Sequence, residues 1–281
     1  MKLRALALAF ALTVPGTPAL AAAPIVLDPF QALQMTLRLY QMAANAGDAE
    51  AQTKLGYVFE QGLGVGKDIV EAVKWYERAA LQKEPTGLYN LGLLLLKGQG
   101  VAPDAERAAT LMTGAAELNM AAAQSQLAAM HEKGIGVPVN LEMAAFWTRK
   151  AAELGDVAAQ NNLAIKYAYG QGVTADYAEA VKWFTQAAEA GNTEAQANLG
   201  VIYKEGLGGV AQDYLAAANW LALAGSQGHV ASQVRLAEMF ELGLGVPKSL
   251  TESLRWLGMA TVAGDAGAQA KLNQVVSGLK K

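Results

Sequence analysis

A segment of 36 residues recurs along most of this chain, and it limits the possible folds more than any other feature. Residues 156–191 read DVAAQNNLAIKYAYGQGVTADYAEAVKWFTQAAEAG. Related segments begin at Asp48, Glu84, Met120, Asn192, His229 and Asp265, in steps of 36 residues with a single step of 37. A fixed period of this length is typical of repeat arrays, in which each unit packs only on its neighbours. The sequence therefore predicts an array of small units.

Each repeat is predicted to contain two helices, called helix A and helix B below. Helix A of the segment above spans Asp156 to about Tyr169, because Ala159, Leu163 and Tyr167 share one helical face. Gly170 follows and can close the helix in the left-handed conformation. Its counterparts in the other repeats are Gly62, Gly98, Gly134, Gly206 and Gly243.

Helix B is predicted to begin after Asp176, whose side chain can accept hydrogen bonds from the first free N–H groups. The matching residues are Asp68, Asp104, Asn140, Asp213 and Ser249. Ala180, Trp183 and Ala187 form its predicted inward stripe, in which the Trp fills the gap between hairpins. The Trp recurs as Trp75, Trp147, Trp220 and Trp256.

The recurring residues, A-Q-x-x-L-(G/A)-x-x-Y, then G-x-G-V, then D-x-x-x-A-x-x-W, resemble the Sel1-like repeat, a relative of the tetratricopeptide repeat. The resemblance covers residues 48–264 as six full repeats: 48–83, 84–119, 120–155, 156–191, 192–228 and 229–264. Repeat 2 departs from the pattern, with Leu111 in the Trp position, and repeat 5 carries one extra residue. We expect an all-α fold, a right-handed α-α superhelix (solenoid) of about fourteen helices.

Two shorter segments are predicted to cap the array. Within the first cap, residues 22–47, the segment 28–47 aligns with helix B alone, which places Leu39 in the Trp position. Residues 265–281 align with helix A alone. We interpret both as half-repeats, because the end faces of a repeat array would otherwise be apolar.

Residues 1–21 are predicted to be a cleaved secretory signal peptide. Lys2 and Arg4 precede an apolar run of ten residues, and Ala19-Leu20-Ala21 supplies the small residues of a cleavage site. The alternative is an N-terminal anchor, but ten residues are shorter than the ~20 that span a bilayer. We therefore expect a periodic array that is periplasmic or secreted, with no stable membrane insertion after cleavage.

Composition excludes several kinds of chemistry. The chain has no cysteine, so it has no disulfide or thiol chemistry. Its formal net charge of −3 and the lack of a basic run make nucleic acid an unexpected partner. We predict no cofactor and no metal, since metal sites need clustered ligands and His131 and His229 belong to distant repeats.

Two short strings look catalytic but have simpler explanations. The glycine-rich string 62–68 ends in Lys67-Asp68, and it lacks the spacing and the Ser or Thr of a phosphate-binding loop. The string Ser277-Gly278-Leu279-Lys280 spells S-x-x-K, but it lies at the chain end without the companion S-D-N and K-T-G motifs. No catalytic residue is predicted, and the open alternative is an enzyme of cell-wall or β-lactam chemistry.

One pair of positions in helix A is a candidate partner-binding site. The residues that precede the core Leu form what we call the amide column: Lys54, Asn90, Gln126, Asn162, Asn198 and Arg235. Four residues later stand those of the apolar column: Val58, Leu94, Met130, Lys166, Ile202 and Met239. Helix A lines the concave wall in related solenoids, so the resemblance implies a groove here.

Amides can pair with the backbone of an extended peptide, and Met and Ile accept side chains of varied shape. The alternative is that the apolar column packs on neighbouring helices. We predict an exported, non-catalytic scaffold or adaptor that holds a protein or peptide partner in the groove. By resemblance, such a protein could regulate an envelope signalling or assembly process. A purely structural spacer is a further possibility.

Overall fold

A computed structural model describes residues 28–278 of the chain, and this part is entirely α-helical. It contains fourteen α-helices and one 3-10 turn, with no strand among the described residues. The helices are α1 Pro29–Asn45, α2 Ala49–Gln61, α3 Ile69–Leu81, α4 Pro85–Lys97, α5 Ala105–Glu117, α6 Ala121–Lys133, α7 Leu141–Glu153, α8 Val157–Tyr169, α9 Tyr177–Glu189, α10 Thr193–Glu205, α11 Tyr214–Ser226, α12 Val230–Leu242, α13 Leu250–Val262 and α14 Ala266–Gly278. The predicted signal peptide, residues 1–21, lies outside the described part.

Two compact units divide the chain at the end of α5: Met1–Ala115 and Ala116–Lys281. In the first unit, α1 packs on α2, α2 on α3 and α3 on α4. In the second unit, each helix from α6 to α14 packs on the next one. Because consecutive helix pairs stack in sequence order, each unit is built as a solenoid, as the repeat predicts.

The predicted helix ends are confirmed in every repeat. All six helix A ends carry their glycine in the left-handed conformation. The six predicted caps of helix B each accept a hydrogen bond from a backbone N–H of the first turn. These contacts use only residues close in sequence, so the repeat pattern determines where its helices begin and end.

A second glycine, two residues after the helix A end, allows neighbouring repeats to approach closely. Gly172 has φ 71°. A Cβ atom on Gly172 would lie 1.9 Å from the backbone oxygen of Leu141, at the start of helix B in the preceding repeat. A side chain at this position would therefore force the two repeats apart.

The deepest core position of helix B is one residue away from the predicted one. Trp75, Trp147 and Trp256 are buried, but Trp183 and Trp220 are only half-buried. The residues after those two, Phe184 and Leu221, are 2% and 0% exposed. The same order holds in repeats 1 and 6, where Tyr76 and Leu257 are 0% exposed, so the residue after the Trp is the deeper one, and Trp183 and Trp220 pack at the edge of the core.

A buried glutamine joins successive repeats. Its Nε2 atom donates to a carbonyl eight residues earlier, in the last turn of the preceding B-type helix, at 2.8–3.3 Å. The five residues are Gln52, Gln124, Gln160, Gln196 and Gln233. Repeat 2 carries Leu88 at this position. A side-chain donor to the end of a helix satisfies a backbone acceptor that has no partner within its own helix.

Candidate partner-binding site

The amide column is accessible in both units. In the first unit Lys54 is exposed and Asn90 is half-buried. In the second unit Asn162 is exposed, and three residues are half-buried: Gln126, Asn198 and Arg235. All six lie on helix A of their repeats, directly before a Leu that is at most 3% exposed. A buried anchor thus fixes the backbone while the neighbouring polar side chain reaches the surface.

Side-chain contacts join the A helices of successive repeats, so members of the column lie on adjacent helices. The hydroxyl of Ser125 in α6 donates to Asp156 at the start of α8, at 3.3 Å. Near the other end of this unit, Lys271 in α14 forms an ion pair with Glu238 in α12. Lys271 occupies the column position of the terminal helix, one repeat after Arg235.

The apolar column, in contrast, is buried. Its side chains are 0–6% exposed: Val58, Leu94, Met130, Lys166, Ile202 and Met239. A step of four residues advances a helix by slightly more than a full turn, and here the extra rotation points the side chains into the array. Burial favours the packing alternative for this column. The half-buried Ile165 and Val201, three residues after the amides of repeats 4 and 5, border the column instead.

Lys166 is the one charged member of the apolar column. Its side chain is only 3% exposed, and its Nζ pairs with Glu132 of the preceding helix A, whose side chain is 39% exposed. A buried ammonium group needs such a partner, because an isolated charge loses its hydration without compensation. The contact makes Lys166 part of the junction between α6 and α8.

A cleft in the first unit contains the start of the amide column. It has a volume of about 350 Å³ and lies between α1, which contributes Leu33, Thr36, Leu37 and Tyr40, and the A helices α2 and α4. Lys54 and Asn90 line it, together with the half-exposed Tyr57. The volume is at the lower end of the roughly 300–1,000 Å³ that is usual for ligand pockets. The sequence analysis did not identify this cleft.

Asn90 lies at the edge of the cleft, beside the side chain of Tyr76, which is 0% exposed. The Tyr76 hydroxyl donates to Glu60 Oε2 at 2.8 Å. Burial and then the neighbouring Glu60 raise the pKa of Tyr76, so the hydroxyl keeps its proton.

The histidines have structural positions. His131 is half-buried in the aromatic position of helix A. His229 caps α12, where its Nδ1 accepts from the backbone N–H of Ser232 at 3.2 Å. Within residues 28–278 no group of three or more His, Asp or Glu side chains could hold a metal ion. No helix in that range combines the length and the apolar character that crossing a membrane requires.

The stacked helix pairs, their glycine-closed ends and their buried Leu define an α-helical repeat protein. The sequence profile of the Sel1 repeat matches seven successive segments: 31–48, 49–84, 85–120, 121–156, 157–192, 193–229 and 230–265. These segments cover most of the chain, which therefore belongs to the Sel1 repeat family.

Two solved structures are similar to this chain over most of its length. One is a protective antigen present in uropathogenic Escherichia coli strains, with 34% identity, a TM-score of 0.81, and coverage of 86% of this chain and 52% of that one. The other is a Sel1 repeat protein from Oxalobacter formigenes, with 34% identity, a TM-score of 0.69, and coverage of 86% and 70%. The chain thus spans about half of the first of these proteins.

Similarity to curated proteins is confined to short stretches. The chitin synthase regulator SKT5 of Saccharomyces cerevisiae is 47% identical over 53 residues, which are 19% of this chain and 7% of that protein. The curated relatives are matched over no more than 12% of their own length. Sel1 repeat proteins are generally non-enzymatic scaffolds for protein interactions, and the fold indicates this general class of function here.

Proposed function

We propose that this protein is an exported, non-catalytic scaffold or adaptor that holds an extended segment of a partner protein along the amide column of its second unit. The observation that carries the proposal is the repeated accessibility of polar side chains directly before a buried Leu. Each such residue offers hydrogen-bonding groups on a rigid helix, and adjacent A helices present them in series. Main-chain groups of an extended segment are suitable partners because every residue offers a donor and an acceptor.

The apolar part of the contact surface comes from residues three positions after the amides. Ile165 and Val201 are half-buried, so part of each side chain remains available for a partner. They replace the buried Lys166 and Ile202 in the binding proposal. The partner segment therefore needs both free backbone groups and modest apolar side chains.

Export rests on the sequence of residues 1–21, and a periplasmic or secreted location follows from it. An exported adaptor of this kind could regulate an envelope signalling or assembly process. The similarity of a short stretch to a named regulator supports a regulatory role. Intact-mass measurement on protein from the native host should give a mature chain that begins near Ala22. An envelope fraction that retains Met1 would contradict export by a cleaved signal.

In-cell crosslinking from a photoreactive residue tests the binding surface. With the photoreactive residue at Asn162, on the column, we expect one dominant partner by mass spectrometry. The matched control is Gln186, which is also exposed but lies on helix B of the same repeat. A partner captured only from Gln186 would place the binding face on helix B.

Substitutions then measure the contribution of the column. Asn162→Ala with Asn198→Ala should weaken partner binding about five- to hundred-fold, because each neutral hydrogen bond contributes about 0.5–1.5 kcal/mol. Alanine at Gln186 and Glu189 is the control and should leave binding unchanged. Hydrolysis of a β-lactam by purified protein would instead support the enzymatic alternative.

A further inference from the structure

The cleft in the first unit borders α1, the first helix among the described residues. Every B helix in the second unit packs on the A helix of its own repeat. Helix α1 corresponds to a B helix, and no A helix of its own precedes it among the described residues. Thr36 and Tyr40 of α1 correspond to Ala72 and Tyr76 of α3. Ala72 and Tyr76 are both 0% exposed, whereas Thr36 and Tyr40 line the cleft.

The complete repeats indicate what kind of helix fits such a position. Tyr76 packs on Gly56 of its own helix A, and a Cβ on that glycine would lie 2.7 Å from the Tyr ring. In the same way, a Cβ on Gly200 would lie 2.6 Å from the side chain of Leu221. A helix that covers Tyr40 therefore needs a small residue at the corresponding point, directly after an apolar anchor residue.

The charge of the cleft lining places a second requirement on a helix that binds there. Lys54 is the one charged side chain in the lining of the cleft, and its Nζ lies 5.5 Å from the ring centroid of Tyr40. At the same repeat position, Lys271 pairs with Glu238 of the preceding A helix. Glu238 is two residues after the core Leu236 and follows the small Ala237. Lys54 contacts Glu50 at 2.6 Å, but both side chains are exposed, so this pair can be exchanged at low cost.

We propose that the cleft binds an amphipathic helix of a partner protein that carries the order leucine, small residue, acidic residue. The partner helix would complete the half-repeat of α1, with its small residue against Tyr40 and its carboxylate near Lys54. This inference rests on the proposed scaffold function and adds a helical binding mode in the first unit. A second copy of the chain is a poorer occupant, because its terminal helix α14 offers Asn273 and Gln274 after Leu272.

A labelled peptide tests the proposal. The probe is a synthetic peptide of residues 229–243, HVASQVRLAEMFELG, with blocked ends. We expect saturable binding to the purified full chain by fluorescence anisotropy. Ala237→Leu in the peptide should weaken binding more than about tenfold through steric overlap. Glu238→Gln in the peptide should weaken it about two- to fivefold, and less at high salt.

Variants of the protein locate the peptide. Thr36→Arg places a long charged side chain in the cleft from an exposed position of α1, so we expect a loss of binding of more than about tenfold. Met42→Arg is the matched control, on the same helix and 70% exposed, but outside the cleft lining. Circular dichroism should be unchanged in both variants. Equal binding by the two variants, or by a scrambled peptide, overturns the proposal.

Other occupants predict different results. If a second copy fills the cleft, the full chain should self-associate with increasing concentration, and Thr36→Arg should abolish this in sedimentation experiments. If residues 1–27 fill it, their removal should increase peptide affinity more than about tenfold. Either result overturns the proposal. The double variant Asn162→Ala with Asn198→Ala should leave peptide binding to the cleft unchanged. The proposal for the cleft and the proposal for the amide column can therefore fail independently of each other.

Discussion

Replacement of Lys166 by Met separates a structural role of this residue from a binding role. The apolar column carries Met at two other positions, Met130 and Met239, both 0% exposed, so the site type accommodates an unbranched apolar side chain. Replacement of a buried ion pair by apolar residues of similar volume is often neutral, or stabilising by about 1–4 kcal/mol. Glu132 is 39% exposed and can rehydrate. We therefore expect Lys166→Met to raise the free energy of unfolding by about 0–2 kcal/mol.

The complementary substitution should have the opposite sign. Glu132→Gln leaves the ammonium group of Lys166 buried without its carboxylate, which costs about 3–5 kcal/mol for a fully enclosed pair. Because water reaches the Glu132 side of this pair, we expect a loss of about 1–3 kcal/mol. Lys182→Met is the control: its pair with Glu179 is largely exposed, so stability should change by less than about 0.5 kcal/mol.

Urea denaturation followed by circular dichroism and Trp fluorescence measures these changes. Repeat arrays can unfold in stages, so the midpoint and the slope of each transition should be compared between variants. A decrease of more than about 1 kcal/mol for Lys166→Met, with an unchanged slope, would refute the reasoning and show that the pair is net stabilising. Partner binding should be unaffected by Lys166→Met, since Lys166 is enclosed. A loss of partner binding without a loss of stability would show that Lys166 belongs to the binding site.

Three further predictions follow from the packing of the second unit. Phe184→Ala should cost about 3–5 kcal/mol in unfolding free energy, whereas Lys182→Ala should cost less than about 0.5, measured by denaturation. Gln196→Leu should lower the free energy of unfolding by about 0.5–1.5 kcal/mol more than Gln160→Leu does. The reason is that the Oε1 of Gln196 accepts a hydrogen bond from Gln227, while the Oε1 of Gln160 has no partner. Equal losses of unfolding free energy in the two variants would contradict this. Gly172→Ala should lower the thermal midpoint by several degrees, through its close backbone contact and its positive φ, and an unchanged midpoint would show that the turn can shift.

The helices and their ends could be predicted from the sequence because their determinants are local. Asp176 caps α9 through N–H groups two and three residues later, and Gly170 closes α8 on the carbonyl of Lys166. Neither contact depends on another repeat. A period of 36 residues then fixes the same arrangement along the array, and the fourteen predicted helices are present in the described part.

The burial of individual side chains was harder to predict, because it depends on the neighbouring repeat. Ile202 shares a helical face with Asn198, yet it is 4% exposed because it belongs to the core cluster that includes Leu163 and Phe184. Phe184 is deeper than Trp183 for the same reason. The cleft was missed because it depends on how α1 packs beside α2 and α4, and sequence periodicity does not describe that packing.

Comparison between the repeats separates packing positions from candidate recognition positions. The position directly after the amide column is occupied by Leu in all six repeats, and these side chains are at most 3% exposed, as required by a shared core. The column itself carries Lys, Asn, Gln, Asn, Asn and Arg, all at least partly accessible. A packing requirement would restrict size and polarity at such a position, whereas the column tolerates two cations and four amides. The hydrogen-bonding capacity that these side chains share, and not their shape, is therefore the property on which partner recognition should depend.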